Sequence, residues 1–180
     1  MPETELEIPS LPFSLLGEFT IEFERICFFL RNSIINSFGI SGEKSEKAIE
    51  LLFTRLTAGP LLEMFVAVSK SANSLTPNET KVLMFIEKEM GKLIADRNDF
   101  LHGTWFRPSA KEEAATSEYM PGIRKTKTNG QVVTKYMDLS AEEVRPKIDR
   151  CTNLINNLAK FEQHKGTDDF DLQFPSVENS

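Results

Sequence analysis

Cysteine is scarce: Cys27 and Cys151 are the two in 180 residues, far apart and each set among apolar residues of a helical pattern. That spacing speaks against a disulfide framework or a thiolate metal site and predicts two buried, reduced thiols. Histidine is equally rare, with His102 and His164 alone, and no Asp, Glu or His cluster has the spacing of a ligand set. No metal and no cofactor is therefore expected. No apolar run approaches the roughly 18 residues that a membrane span requires, so no membrane partner is expected either. The N-terminal MPETELEIPS has no basic region followed by an apolar stretch, which reads against a secretory signal and points to a cytoplasmic protein.

Basic residues are missing from both ends of the chain. Residues 1–13 carry Glu3, Glu5 and Glu7, residues 166–180 carry Asp168, Asp169, Asp171 and Glu178, and neither stretch has a Lys or Arg. Those seven acids outweigh the formal net charge of −6, so residues 14–165 carry +1. A near-neutral body with acidic ends does not exclude an anionic substrate. The chain accordingly divides into an acidic N-terminal segment (1–13), one self-folding domain (14–165) and an acidic flexible tail (166–180).

What the sequence does have is helical periodicity. Leu16, Phe19, Phe23, Ile26, Leu30, Ile34 and Phe38 recur at three and four, predicting a long core helix over 14–38. After a break at Gly39–Gly42 come Ala48, Ile49, Leu52, Phe53 and Leu56, then Gly59-Pro60 and a further apolar set from Leu61 to Val68. Pro60 either starts a new helix there or kinks a continuing one. Thr76-Pro77-Asn78-Glu79 combines a cap, a proline at the first helical position and a Glu three after the cap. The helix it starts carries Val82, Leu83, Ile86, Met90, Leu93, Ile94 and Leu101 and should end near His102, where Gly103 can stop it.

Beyond Trp105 the residues from Arg107 to Ser117 have no period and read as a loop. Ile123–Thr128 and Gln131–Met137, joined by Asn129-Gly130, predict a β-hairpin within about 119–138. Ser140 with Glu143 offers a second capping box, and Val144, Ile148, Cys151, Ile155 and Leu158 predict a last helix ending near His164. Pro146 marks either the start of that helix or the end of a separate turn at 141–145. The fold class is mainly α, with a small β-hairpin inserted before the last helix.

The chemistry-bearing stretch is Asp96-Arg97-Asn98-Asp99-Phe100-Leu101-His102-Gly103-Thr104-Trp105. At about 100° per residue Arg97 falls at the centre of the stripe made by Val82, Ile86, Met90, Leu93 and Leu101, aiming a guanidinium inward. A charge so placed needs an ion pair, a groove or a ligand. Asn98 and His102, four apart, lie one above the other on an adjoining face. Arg97 and His102 differ by about 140° around an ideal helix, a gap left to the long Arg side chain and a helix loosened at Gly103. The structural alternative is that Arg97 pairs with a carboxylate such as Glu22 and that His102 caps the helix end.

Arg97-Asn98-x-x-x-His102, late in a capped amphipathic helix and followed by a hairpin, resembles the Arg-polar-x(3 to 5)-His signature of HEPN (higher eukaryote and prokaryote nucleotide-binding) domains. The resemblance covers about residues 14–164 and implies an up-and-down helical bundle. It further implies a metal-independent endoribonuclease, often a toxin or a defence effector, working as a homodimer with its motifs facing across a two-fold axis. An antitoxin or other partner protein is a further expectation. In such an enzyme His102 would be the general acid or base, Arg97 would stabilise charge on the phosphate, and Asn98 would orient the phosphate or the imidazole. Products would be a 2′,3′-cyclic phosphate and a 5′-hydroxyl. Members that bind nucleotide or RNA without cutting, or that serve as interaction scaffolds, are the alternative.

Residues 123–137 also hold Arg124, Lys125, Lys127 and Lys135. They suit either a phosphate backbone or a solvated edge that uses Lys to resist strand pairing. Trp105, just past a helix end, reads first as a plug over the core and second as a stacking platform for a base.

Overall fold

The computed structural model describes residues 11–39, 47, 51, 53, 55–72, 75–106, 119–128 and 131–174. Outside the described residues lie most of the 48–56 apolar set, the 107–117 loop and the Asn129-Gly130 turn. The protein is mainly helical, with α1 (Leu11–Ser37), α2 (Ala58–Ala72), α3 (Pro77–Leu101), α4 (Ala141–His164) and a short α5 (Phe170–Gln173). Three strands, β1 (Thr104–Trp105), β2 (Tyr119–Thr128) and β3 (Gln131–Ser140), form one antiparallel sheet in the order β1-β2-β3. Among the described residues no helix is long and apolar enough to cross a membrane.

The local signals act as expected at the helix starts. The Thr76 N–H donates to Glu79 Oε2 at 2.6 Å while the Glu79 N–H donates to Thr76 Oγ at 3.2 Å, so α3 opens on a complete capping box. Ser140 and Glu143 repeat the arrangement at 3.3 and 3.2 Å for α4. Pro60 is the third residue of α2, where its missing N–H has no helical partner to lose. Pro146 is different. It stands inside a continuous α4 that already starts at Ala141, so the separate turn at 141–145 does not form. The hydrogen bond it denies to the Glu142 carbonyl falls at an exposed residue, where water can replace it.

The β2–β3 ladder runs in register from Tyr119↔Ser140 to Thr128↔Gln131, longer at its base than the hairpin expected from sequence. The addition of β1, pairing Thr104 with Ile123 and Trp105 with Gly122, was not legible in the sequence.

The chain divides into two compact units. The first comprises Met1–Ile21 and Asp96–Asp149, the second Glu22–Ala95 and Arg150–Ser180. In the first, Leu15, Phe19, Phe100, Met120, Leu139 and Val144 are buried, and Phe19 meets Phe100 edge to face at 5.2 Å. Such an aromatic pair adds about 0.5–1.5 kcal/mol to the burial itself. In the second, Phe23, Ile26, Leu30, Phe65, Ile86, Met90, Leu158 and Phe161 form the core, with Cys27 and Cys151 buried and not joined in a disulfide. The expected stripe of α1 shifts at its ends: Leu15 is buried in place of Leu16, and Phe38 is exposed beyond the last turn.

The residues after Gly166 are more engaged than a free tail. Phe170 is buried against Phe161 at 6.1 Å, and the Gly166 N–H donates to the buried Glu79 carboxylate. Only 175–180 of that segment fall outside the described residues.

Candidate functional site

The Arg97–His102 segment occupies the last turn of α3 within the first unit, and its geometry begins with Phe100. Phe100 is 7% exposed and Leu101 40% exposed, so the core position at this end of α3 belongs to Phe100 and not to Leu101. Stepping back from Phe100 by three reaches Arg97, and by four more reaches Leu93, which is fully buried. Arg97 therefore lies on the core-facing stripe, as expected, but its side chain is half-buried and not driven into the core. That is the physical outcome to expect of a guanidinium, whose apolar stem can lie along the core while its head stays near water.

Asn98 joins the two other residues. The Arg97 guanidinium donates to Asn98 Oδ1 at 3.5 Å, and the Asn98 carbonyl accepts the His102 N–H at 3.1 Å. The helical hydrogen-bond register thus carries through His102 although the helix ends at Leu101, holding Asn98 and His102 one turn apart on a common face. Among the described residues no hydrogen bond joins the Arg97 guanidinium to the His102 imidazole, and the imidazole is exposed.

The charges around this turn are sorted by partners that arrive from elsewhere in the unit. Asp99 takes an ion pair with Arg124 of β2, and Asp96 one with Lys147 of α4 at 3.7 Å. Lys147 also sits 5.7 Å from the centre of the Phe100 ring. Glu22, the suggested partner for Arg97, is paired with Arg25 at 2.7 Å. Among the described residues Arg97 makes no ion pair. Two carboxylates against three cations leave this cluster with a formal +1, and Arg97 is the member whose charge no carboxylate answers among the described residues.

Two residues with a proposed contact to nucleic acid are committed within the unit. The Trp105 indole N–H donates to the Phe100 carbonyl at 2.7 Å, satisfying one of the acceptors that a helix end leaves orphaned. Its ring abuts the backbone at both Gly103 and Gly122, where an added Cβ would meet it. Trp105 caps the end of α3 and is half-buried, with its polar edge engaged by the Phe100 carbonyl. Arg124 spends its charge on Asp99. Lys125 and Lys127 occupy β2 positions opposite Thr134 and Val132.

Sequence reasoning missed Asp96, Asp99 and Lys147. Their one signal is that Asp96 and Asp99 flank the motif, an acidic pair beside an inward Arg. Among the described residues no group of three or more His, Cys, Asp or Glu is placed to hold a metal ion. The arrangement can bind an anion at Arg97, with a hydrogen-bonding amide beside it and an imidazole one turn on.

Fold and site together define a mainly α protein with a small antiparallel sheet and an Arg-Asn-His cluster at a helix end. Comparison with protein-family models, with curated proteins and with solved structures finds no match.

Proposed function

We propose that this protein is a metal-independent endoribonuclease of the HEPN type, working in the cytoplasm as a homodimer on RNA, in a toxin or defence setting. The observation that carries the reading is the guanidinium of Arg97, which no carboxylate pairs among the described residues, hydrogen-bonded to Asn98 in a turn where Asp99 pairs with Arg124 and Asp96 with Lys147. A phosphate suits that vacancy in charge, since guanidinium presents a fixed fork of donors to its oxygens.

In the reaction the ribose 2′-hydroxyl attacks the adjacent phosphorus, and the 5′-oxygen of the next nucleotide leaves. His102 imidazole accepts the 2′-hydroxyl proton or, as imidazolium, donates to the leaving oxygen, a task suited to a side chain that can both take and give a proton. Arg97 stabilises the charge that builds on the non-bridging oxygens, and Asn98 keeps Arg97 and the phosphate in register. The products are a 2′,3′-cyclic phosphate and a 5′-hydroxyl.

A second reading, RNA binding without cleavage, is favoured by the exposed His102 ring, which no hydrogen bond orients among the described residues. His102→Ala separates the two: with fold and dimer intact, the nuclease reading expects cleavage to vanish and RNA affinity to persist, and expects wild-type cleavage to survive EDTA. Cleavage by His102→Ala at the wild-type rate removes His102 from the chemistry.

A further inference from the structure

Helix α1 is apolar on two opposite sides. One is the core stripe, in which Phe19, Phe23, Ile26, Leu30 and Ile34 are buried. The other is made by Ile21, Phe28 and Ile35, which recur at seven along one unbroken helix, each step turning the position by about 20°. Ile21 is 64% exposed and Phe28 62%, while Ile35 is half-buried. A surface helix that packs on one side only would carry polar residues there. An aromatic ring between two isoleucines stands instead at the heptad spacing by which helices pack along one another.

The charged groups on this second side say what packs there. Glu24 and Arg31 flank Phe28 along the same edge of the helix, one before it and one after. Seven residues apart, about 10.5 Å along the axis, they stand too far apart to pair with each other. Among the described residues neither makes an ion pair, whereas the neighbouring Arg25 is held by Glu22 at 2.7 Å. The Nε of Arg31 is buried and has no hydrogen-bond acceptor among the described residues, a loss of stability that an incoming carboxylate would reverse.

The order Ile21, Glu24, Phe28, Arg31, Ile35 is its own complement when reversed. A second copy of α1, turned end to end about a two-fold axis at Phe28, sets Phe28 on Phe28, Ile21 on Ile35, and Glu24 of each copy beside Arg31 of the other. Parallel copies would oppose Glu24 to Glu24 and Arg31 to Arg31, a juxtaposition of like charges that works against association. A different partner bearing charge of one sign would answer one of these residues and repel the other. We infer that the outer side of α1 is the surface on which two copies of this chain pair, antiparallel, with Phe28 on the two-fold axis. The pairing rests on exposure and charge along α1 and not on the endonuclease reading, whose homodimer it supplies with an interface.

Charge reversal in the full chain tests it. Glu24→Arg makes the edge positive at both positions and Arg31→Glu makes it negative at both, so each variant alone should lose the dimer in sedimentation velocity over a concentration series. Mixed in equal amounts, the two variants should form a heterodimer, because every Arg at these positions then meets a Glu of the other chain. Native mass spectrometry identifies that mixed dimer by its mass. Phe28→Ala should raise the dissociation constant of the dimer about tenfold or more. Helix content by circular dichroism should match wild type in each variant, since Phe28 and Glu24 are exposed and Arg31 is half-buried. A wild-type dimer that survives these substitutions overturns the inference, as do folded charge variants that fail to pair when mixed. Survival of the dimer leaves the homodimer of the nuclease reading on some other surface, and a wild-type chain that stays monomeric removes both; loss of RNA cleavage with the dimer intact counts against the nuclease reading alone.

Discussion

Trp105 rests its indole on the backbone of Gly122, its partner across the β1–β2 ladder, and its ring N–H caps the Phe100 carbonyl at 2.7 Å. One side chain thereby ties the end of α3 to the sheet. The same contact orients the turn that carries Arg97, Asn98 and His102, because Phe100 lies inside that turn.

Gly122→Ala is expected to destabilise the protein by about 1–3 kcal/mol, the usual cost of forcing atoms into a filled space. The new Cβ would enter the Trp105 ring and approach the Thr104 carbonyl oxygen at 3.1 Å. Trp105 is the single tryptophan in the chain, so its emission reports the displacement directly. A red-shifted spectrum with a lowered melting temperature is the expected result, and an unchanged spectrum would show that the ring does not lie on residue 122.

Arg97→Met should leave the melting temperature unchanged or raise it, because a half-buried charge with no ion pair among the described residues gives way to an apolar chain of similar length. Cleavage of RNA should fall by about 10²–10³, the loss typical of a donor that serves a transition state. Arg97→Lys should recover only part of it, since the fork of donors is lost while the charge remains. Unfolding of Arg97→Met would instead identify Arg97 as a structural cation.

Acid should loosen the α3 start in a defined direction. Burial raises the Glu79 pKa, but the hydrogen bonds from the Gly166 and Thr76 N–H groups and from Thr76 Oγ outweigh it and leave the carboxyl below its ordinary 4.5. A group whose folded pKa is depressed adds stability above its unfolded value and loses it as pH falls through the folded one. Stability measured by urea unfolding should therefore decline below about pH 4.5. In Glu79→Gln the decline should be shallower and the stability at pH 7 lower. Parallel pH curves for the two proteins would count against the clasp.

Pro146→Ala should stabilise the protein by about 1 kcal/mol or more, toward the roughly 3 kcal/mol that separates these residues inside a helix. Pro146 is exposed within a continuous α4, so alanine restores a hydrogen bond to the Glu142 carbonyl without disturbing packing. A shift of the urea midpoint at constant slope would show it.

The elements that sequence reasoning found share a short range. Thr76 with Glu79, Ser140 with Glu143, Pro60 in a first turn and the β2–β3 pairing are each settled by residues within a few positions of one another, through donors and acceptors that the chain cannot avoid satisfying. The motif residues were likewise legible, since Asn98 and His102 need only helical spacing to share a face. Strand β1 was not: two residues carry no period, and Thr104 and Trp105 become a strand only because Ile123 and Gly122 come beside them. The choice of Phe100 over Leu101 for the core was equally hidden. Both fit the periodicity, and the edge of the Phe19 ring decided between them.

The amino-acid sequence alone determined where α3 begins, that a hairpin precedes α4, and that an arginine, an amide and an imidazole fall near the end of α3. Only the tertiary structure decided which charges there are answered, pairing Asp99 with Arg124 and Asp96 with Lys147 and leaving Arg97 without a carboxylate among the described residues. Hydrogen-bond capping is governed by neighbours along the chain, whereas Coulomb attraction and burial depend on which distant residues the fold brings within a few ångströms.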